Sequence, residues 1–192
     1  MHTDSLAIPT LTTLPTVLVL ASGRGERFTA SGGPGHKLQA LLGGQTVLQR
    51  TVAAVQASGL PWHLEQQGLP GMGDSIAAAA SATPGAAGWL VLPADLPLVH
   101  SETLVKVARA LASHAVVVPV FQGQRGHPVG FGACCGSDLR NLKGNRGGAQ
   151  VISAWGAMEL IVDDPGVCFD IDTVTDLQQA QAWLDNHRKK LR

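Results

Sequence analysis

The sequence has no tyrosine, and only four phenylalanines and four tryptophans. With rings this scarce, a base-stacking platform for single-stranded nucleic acid is not expected. Core volume must come from Val, Leu, Ile and Ala, as buried parallel strands and close-packed helices prefer. An excess of either charge is also missing, since Lys+Arg and Asp+Glu both number 14. A chain without net charge has no bulk attraction to nucleic acid or an anionic membrane, so any phosphate chemistry must come from a local cluster of cations. There are three cysteines, Cys134, Cys135 and Cys168. An odd count with one vicinal pair is no disulfide framework, and no CxxC spacing suggests zinc. They read as buried or incidental thiols in a reducing compartment. No apolar run approaches the roughly 20 residues of a membrane span. The opening MHTDSLAIPTLTTLPT lacks the basic start of a signal peptide. The expectation is a cytoplasmic protein, with a loose leader over residues 1–15 and a single domain over 16–192.

What is present is a chain of 192 residues, 45% of them apolar, enough for one α/β domain with a real core. Apolar strands are expected at 16–20 and 88–92, the second ending at Pro93-Ala94-Asp95. Residues 45–57 read as a helix capped by Thr46, with Leu48, Val52 and Val55 on one face. Residues 74–82 read as a helix of small residues. Residues 102–113 read as a helix capped by Ser101, with Leu104, Val107, Ala108 and Leu111 inward. A last amphipathic helix is expected over 175–188, and short ones over 137–142 and 148–155. Residues 62–64 are a weak strand candidate. Residues 115–121 read as a strand that Pro119 places at an edge or a bend. Residues 129–131 return as a strand, and 159–162 and 167–171 look extended. Strands alternating with helices predict a doubly wound, mostly parallel sheet. Ligands of such sheets sit at the carboxyl ends of the strands, which gathers residues 22–37, 93–97 and 170–173 on one rim.

The stretch VLVLASGRGERFTASGGPGHKLQ, residues 17–39, runs from an apolar strand into glycines. As a dinucleotide fingerprint it fails: GRGERF puts Phe28 in the third glycine's place, TASGGPG is not helical sequence, and no acid stands where a ribose partner should. As a Walker A loop it lacks the spacing and the magnesium-binding hydroxyl. A glycine-rich surface loop is the plain alternative. Against it stand Arg24, Arg27 and Lys37, three cations gathered on one loop. The remaining reading is a loop lying over a nucleoside triphosphate, its N–H groups turned to the phosphates.

The order Ala21-Ser22-Gly23, Gly25, Arg27-Phe28 and Lys37 after a first strand resembles the MobA-like nucleotidyltransferases. Among them it is most similar to the molybdenum cofactor cytidylyltransferases, with the guanylyltransferases next. The likeness continues in family order through LPGMGDSIAAA (69–79), LVLPADLPLV (90–99), VVVPVFQGQRGHPVGFG (116–132), GNRGGAQ (144–150) and FDIDTVTDL (169–177). It implies a Rossmann-like, GT-A-like fold with an antiparallel excursion. The activity it implies is Mg2+-dependent transfer of CMP from CTP to a molybdopterin-type cofactor, with release of pyrophosphate. GMP transfer from GTP, or transfer to another phosphorylated acceptor, is the nearest alternative. A non-catalytic cofactor-binding or chaperone module is the contrasting one. A molybdoenzyme or its chaperone would be a partner.

The residues suit such a reaction. A phosphate monoester is already an anion near neutral pH, its second pKa being about 6. No general base is therefore needed, and catalysis becomes positioning and neutralisation. Residues 21–25 (Ala21, Ser22, Gly23, Arg24, Gly25) would wrap base and phosphates. Arg24, Arg27 and Lys37 would neutralise the triphosphate, the resemblance pointing most firmly to Arg27 and Lys37, with solvated surface charge the plain reading of each cation. Asp95, past a buried strand, is a turn cap or a metal ligand, and the resemblance favours the metal. Asp170 and Asp172 alternate along the extended stretch, which places both carboxylates on one face. Asp172 is the second metal candidate; its alternative is to cap the last helix, with Thr173 or Thr175 as rival caps. Asp163 and Asp164, before Pro165-Gly166, read as turn acids. Gly71, Gly73 and Ser75 open a helix whose N-terminus favours an anion or a polar base edge, and the resemblance puts that turn beside the base. In RGHP, the resemblance turns Arg125 and His127 toward the acceptor, with Arg146 assisting; a lone loop histidine is otherwise ordinary surface. His36 is motivated only by its neighbour Lys37.

The chain departs from the family pattern twice. Residues 59–71 are too few for the further strand and helix usual there, so the sheet has lost a strand or residues 61–66 stand for two. The loop reads Ala21-Ser22-Gly23, and Ser22 falls where the resemblance implies contact with the base, matching neither branch.

Overall fold

In a computed structural model, the structure describes residues 14–190. Of the expected leader, residues 1–13 lie outside the described residues. Along the chain the elements are β1 (Thr16–Leu20), α1 (Glu26–Ala30), β2 (Leu41–Leu42), β3 (Gln45–Thr46), α2 (Val47–Ala57), β4 (Trp62–Glu65), α3 (Met72–Ala82) and β5 (Gly88–Pro93). There follow α4 (Ser101–Ala110), β6 (Val116–Phe121), β7 (Gln124–Arg125), β8 (Val129–Gly132), α5 (Gly136–Arg140), α6 (Ala149–Trp155), β9 (Met158–Ile161) and α7 (Val174–Lys190).

Strand β1 pairs in parallel with β4 on one side and β5 on the other. Strand β8 lies antiparallel between β5 and β6. Strand β7 continues the line of β8 along β6, and β9 adds in parallel on β6's other side. Strands β4, β1, β5, β6 and β9 therefore run one way, with β7–β8 the antiparallel excursion. Strands β1, β5, β6 and β8 are buried on both faces because their apolar residues run without a polar alternation. Val17, Val19, Leu90, Leu92 and Val117 face α2, α4 and α7. Leu18, Leu20, Val91, Val116 and Val118 face α3, α5 and α6. This is the doubly wound sheet that the alternation predicts. No helix among the described residues is long and apolar enough to cross a membrane.

Several boundaries differ from the sequence reading. Residues 45–46 are strand, not helix, because Gly43 and Gly44 both take positive φ (61° and 91°) and turn Leu42 back onto Gln45. Helix α2 then starts at Val47 on a reciprocal cap, Thr46 Oγ1 accepting from the Gln49 N–H and Gln49 Oε1 from the Thr46 N–H. Its inward stripe is Val47, Thr51 and Val55, with Leu48 and Val52 on the flanks. Helix α4 starts one residue earlier than expected and ends at Ala110. Its N-terminal groups are met not by Ser101 but by Asp164 from across the fold, whose Oδ2 accepts from the His100 N–H (2.9 Å) and the Thr103 hydroxyl (2.7 Å).

Pro119 is not at an edge, since β6 has neighbours on both sides. It falls where β8 gives way to β7. Its carbonyl accepts from the Gly126 N–H there, and a strand residue's N–H and C=O point the same way, so its missing N–H falls in the gap. Residues 167–171 are not extended either. A 3-10 turn covers Pro165–Cys168, and the chain continues irregularly to α7. The reason is Asp164, whose Oδ1 accepts from the Gly166 N–H and closes a tight turn before Val167. Finally, β4 is the terminal strand on its side of the sheet, and the chain passes from Glu65 to α3 with no further element. Among the described residues the sheet has no additional strand at 59–71.

Candidate active site

A cleft of about 920 Å³ opens at the carboxyl ends of β1 and β5. Of the residues expected at a site, Ser22, Gly23, Arg24, Gly25, Arg27, Lys37, Gly71, Asp95, Asp172, Arg125 and His127 line it. Ala21, Gly73, Ser75 and Arg146 do not. Ala21 sits behind the wall, its N–H donated to the Glu65 carbonyl. Gly73 packs against the 143–144 backbone, where a Cβ would come 2.8 Å from the Gly144 oxygen. Arg146 is exposed, and its neighbour Asn145 lines the cleft in its place. Nothing in GNRGG distinguishes the two; the 3-10 turn over Gly144–Arg146 decides which one faces inward.

The glycine loop is anchored at three points. Phe28, on α1, is fully buried in the core below, so its apolar ring is an anchor for the loop. Sequence reading excluded a helix over TASGGPG, yet Thr29 and Ala30 complete the five-residue α1 before Ser31 and Gly32 end it. His36 accepts from the Leu38 N–H through Nδ1, which leaves Nε2–H to donate to the Gly23 carbonyl at 2.7 Å. That bond clips the two ends of the loop together. Ser31 Oγ accepts from the Val174 N–H, tying the far side to α7.

Lys37 is the centre of the charge arrangement. Its Nζ donates to Asp95 Oδ2 at 2.6 Å and to Asp172 Oδ1 at 2.7 Å. The Lys37 side chain is only 10% exposed, whereas Arg27, bound at 2.5 Å to the other oxygen of Asp172, is 79% exposed. Burial works against the Lys37 charge, but the charge and hydrogen bonds of Asp95 and Asp172 outweigh it and raise the ammonium's pKa. Burial also works to raise Asp172, and there the Lys37 hydrogen bond, the Lys37 charge and Arg27 prevail and lower it. Asp170 lies in the same cleft without such partners; burial and the charges of Asp172 and Asp95 raise its pKa. The second oxygen of Asp95, Oδ1, is buried with no hydrogen-bond partner. Asp95 is held by its surroundings: Thr51 donates to the Ala94 carbonyl at 2.9 Å, and the Ile171 N–H donates to the Asp95 carbonyl.

Asp170 and Asp172 share the cleft although no strand carries them. Asp172 is not the cap of α7: Thr173 Oγ1 accepts from the Asp176 N–H, and Asp176 Oδ2 accepts from the Thr173 N–H. The Asp172 carboxylate is thereby left for Lys37 and Arg27.

On the opposite wall, residues 126–128 leave the β7–β8 line toward the cleft, held by bonds from the Gly126 N–H to Pro119 and from the His127 N–H to Val167. Arg125 is pinned to Glu159 of β9, with Nε and Nη2 at 2.8 and 2.7 Å from one carboxylate oxygen. The His127 ring is mostly buried and its Nδ1 is without a partner. Burial pushes its pKa below the ordinary histidine value, against smaller opposing effects of the Val91 backbone and Asp95. The unfolded chain thus binds a proton at about pH 6.5 that the folded chain refuses, so stability is full above that pH and falls as pH drops through it. Denaturation midpoints between pH 7.5 and 5 are expected to show this slope, and His127→Gln to flatten it. An equal slope in the variant would remove His127 as the cause.

Below the loop, Ser22 Oγ and Ser75 Oγ are 2.7 Å apart, Ser75 being almost fully buried. The first turn of α3 and the start of the loop are therefore joined through hydroxyls. Gly71 allows the close approach of the 144 backbone: a Cβ there would sit 2.4 Å from the Gly144 carbonyl. Asp74 Oδ2 accepts from the Gly144 N–H.

Known proteins resemble this chain in sequence and in fold. The chain is 32% identical over 145 residues to the bifunctional protein GlmU of Xanthomonas oryzae, covering 62% of this chain and 30% of that one. The chain thus spans less than a third of that relative's length. Rv0371c of Mycobacterium tuberculosis superposes with a TM-score of 0.74 at 22% identity, covering 90% of this chain and 99% of that one. The same protein is known as a complex with manganese. Molybdopterin-guanine dinucleotide biosynthesis protein A of Archaeoglobus fulgidus superposes with a TM-score of 0.65 at 17% identity, covering 89% and 99%. At these identities the structural likeness is one of fold. A family model, the MobA-like NTP transferase domain, matches residues 54–159, a span that holds Gly71, Asp95, Arg125 and His127 and leaves the glycine loop and Asp172 outside. That match covers more than half of the 192 residues, and the chain belongs to the MobA-like NTP transferase domain family, a family of nucleotidyltransferases.

Proposed function

We propose that residues 16–192 form a cytoplasmic nucleotidyltransferase domain that joins the CMP part of CTP to a molybdopterin-type acceptor and releases pyrophosphate. The observation that carries this reading is the Lys37 ammonium held between Asp95 and Asp172 at the floor of the cleft. A buried cation between two carboxylates, under a glycine loop bearing Arg24 and Arg27, is suited to an anionic ligand accompanied by a divalent cation.

The residues fit such a cation. Two carboxylates already converge on one positive centre, and Asp95 Oδ1 is a buried acceptor without a donor. Asp95 and Asp172 would hold it, and hard oxygen donors with room for phosphate oxygens suit magnesium. When bound, it would neutralise charge on the triphosphate. An oxygen of the acceptor phosphate attacks the α-phosphorus, the bond from that phosphorus to the bridging oxygen breaks, and pyrophosphate departs with the electron pair. Lys37 and Arg27 meet the negative charge. The N–H groups of residues 22–25 orient the phosphates. His127 and the segment 126–128 that carries it position the acceptor from the opposite wall. No residue has to remove a proton.

A thermal-shift panel of the four nucleoside triphosphates, with and without Mg2+, tests this. CTP with Mg2+ is expected to stabilise most, and pyrophosphate release is expected on adding molybdopterin. A larger effect of GTP would move the assignment to GMP transfer. No stabilisation by any triphosphate would overturn it.

A further inference from the structure

We propose that Lys37 is an exchangeable counter-ion: it fills the two-carboxylate site while the cleft is empty and leaves it for the triphosphate, so that nucleotide and divalent cation each require the other to bind tightly. The inference rests on the nucleotidyltransferase reading and concerns the coupling between its ligands.

Four observations carry it. Lys37 Nζ lies within hydrogen-bond distance of both Asp95 and Asp172, so it occupies the point on which both carboxylates converge. Arg27 holds the other oxygen of Asp172, so two of the loop's three cations are engaged by the acids. Asp95 Oδ1 remains buried and unmatched, so one ammonium does not satisfy the acids' acceptors. A third carboxyl, Asp170, lines the same wall. The charges here are close enough to balance only while Lys37 and Arg27 stay.

An incoming triphosphate offers the same two cations more negative charge than a carboxylate does. If Lys37 and Arg27 turn to it, Asp95 and Asp172 are left facing each other beside Asp170. Like charges at that separation repel strongly in a half-buried site. A divalent cation removes the repulsion and fills the acceptor that Lys37 left unmet. Conversely, a divalent cation arriving alone must first displace an ammonium that has nowhere equally favourable to go. Coupling of this kind is reciprocal by thermodynamic necessity. The side chain is suited to the exchange: it is a compact charge on a long flexible stem, rooted in the short turn Lys37–Gln39 at the end of the loop.

The test uses Mn2+ binding by calorimetry or electron paramagnetic resonance, alone and with an α,β-methylene CTP that cannot react. Wild-type protein is expected to bind Mn2+ at least about tenfold more tightly with the analogue than without, and the analogue to gain by the same factor from Mn2+. Lys37→Met should bind Mn2+ alone more tightly than wild type, bind the analogue more weakly, and lose the coupling. Asp95→Asn, which keeps the shape but loosens the hold on Lys37, should bind the analogue more tightly than wild type in EDTA and Mn2+ more weakly. The two variants thus move each ligand in opposite directions, and the second serves if the first does not fold. If Mn2+ binds wild type equally well with and without the analogue, the exchange is wrong and the nucleotidyltransferase reading stands. If no nucleotide binds even with Mn2+ present, that reading fails and takes the exchange with it.

Discussion

Asp95→Ala is expected to lower pyrophosphate release at least about a thousandfold, equivalent to roughly 4 kcal/mol of transition-state stabilisation. A divalent cation supplies several kcal/mol of charge stabilisation in reactions of this class, and Asp95 contributes the buried, unmatched oxygen best placed to hold one. The fold should survive. Lys37 keeps its bond to Asp172, and the backbone bonds that fix residue 95 do not involve its side chain. A circular-dichroism melt within a few degrees of wild type, together with lost turnover, is the expected pair of results. Retained turnover would remove Asp95 from the chemistry. Lost turnover with a collapsed melt would mean that its role is structural.

The largest loss of stability is expected from Asp164→Ala, a residue outside the chemistry. Its carboxylate is 1% exposed and accepts from the His100 N–H, the Thr103 hydroxyl and the Gly166 N–H. Removing it leaves these donors buried without partners at about 1–3 kcal/mol each, or roughly 3–5 kcal/mol together after relaxation. Native stability is of the order of 5–15 kcal/mol, so much of it would go. The same turn launches residues 165–173, and Asp172 should therefore shift with it. Chemical denaturation reads the first effect, and weakened nucleotide binding in the surviving folded fraction reads the second. A loss under about 1 kcal/mol would show that water replaces the carboxylate.

The two kinds of information in the chain differ in reach. The strands at 16–20 and 88–92, the helix of small residues and the cap at Thr46 were legible because their signals are local: an apolar run, a period, a hydroxyl three residues before a glutamine. Pro119 misled because proline reports only a missing donor, and whether that donor is needed depends on where β8 hands over to β7. Alternation along a strand predicts a common face for Asp170 and Asp172, but no strand forms there; they share the cleft because a turn closed by Asp164 steers them to it. The resemblance points to Arg146, whereas the 3-10 turn over Gly144–Arg146 leaves that residue exposed and brings its neighbour Asn145 to the cleft.

By itself, the sequence determined the alternation of strands and helices, and hence the doubly wound sheet with its site at the strand ends. It also singled out Arg24, Arg27, Lys37 and Asp95 as candidates, since few cations and acids stand near glycines or strand ends in a chain otherwise modest in charge. Only the tertiary structure decided which of them meet. Lys37 is 58 residues from Asp95 and 135 from Asp172, and no periodicity reaches that far. Their contact depends on three loops brought to one rim by the parallel sheet. The same contacts show that two cations of the opening glycine loop, Lys37 and Arg27, are held by acids from distant parts of the chain.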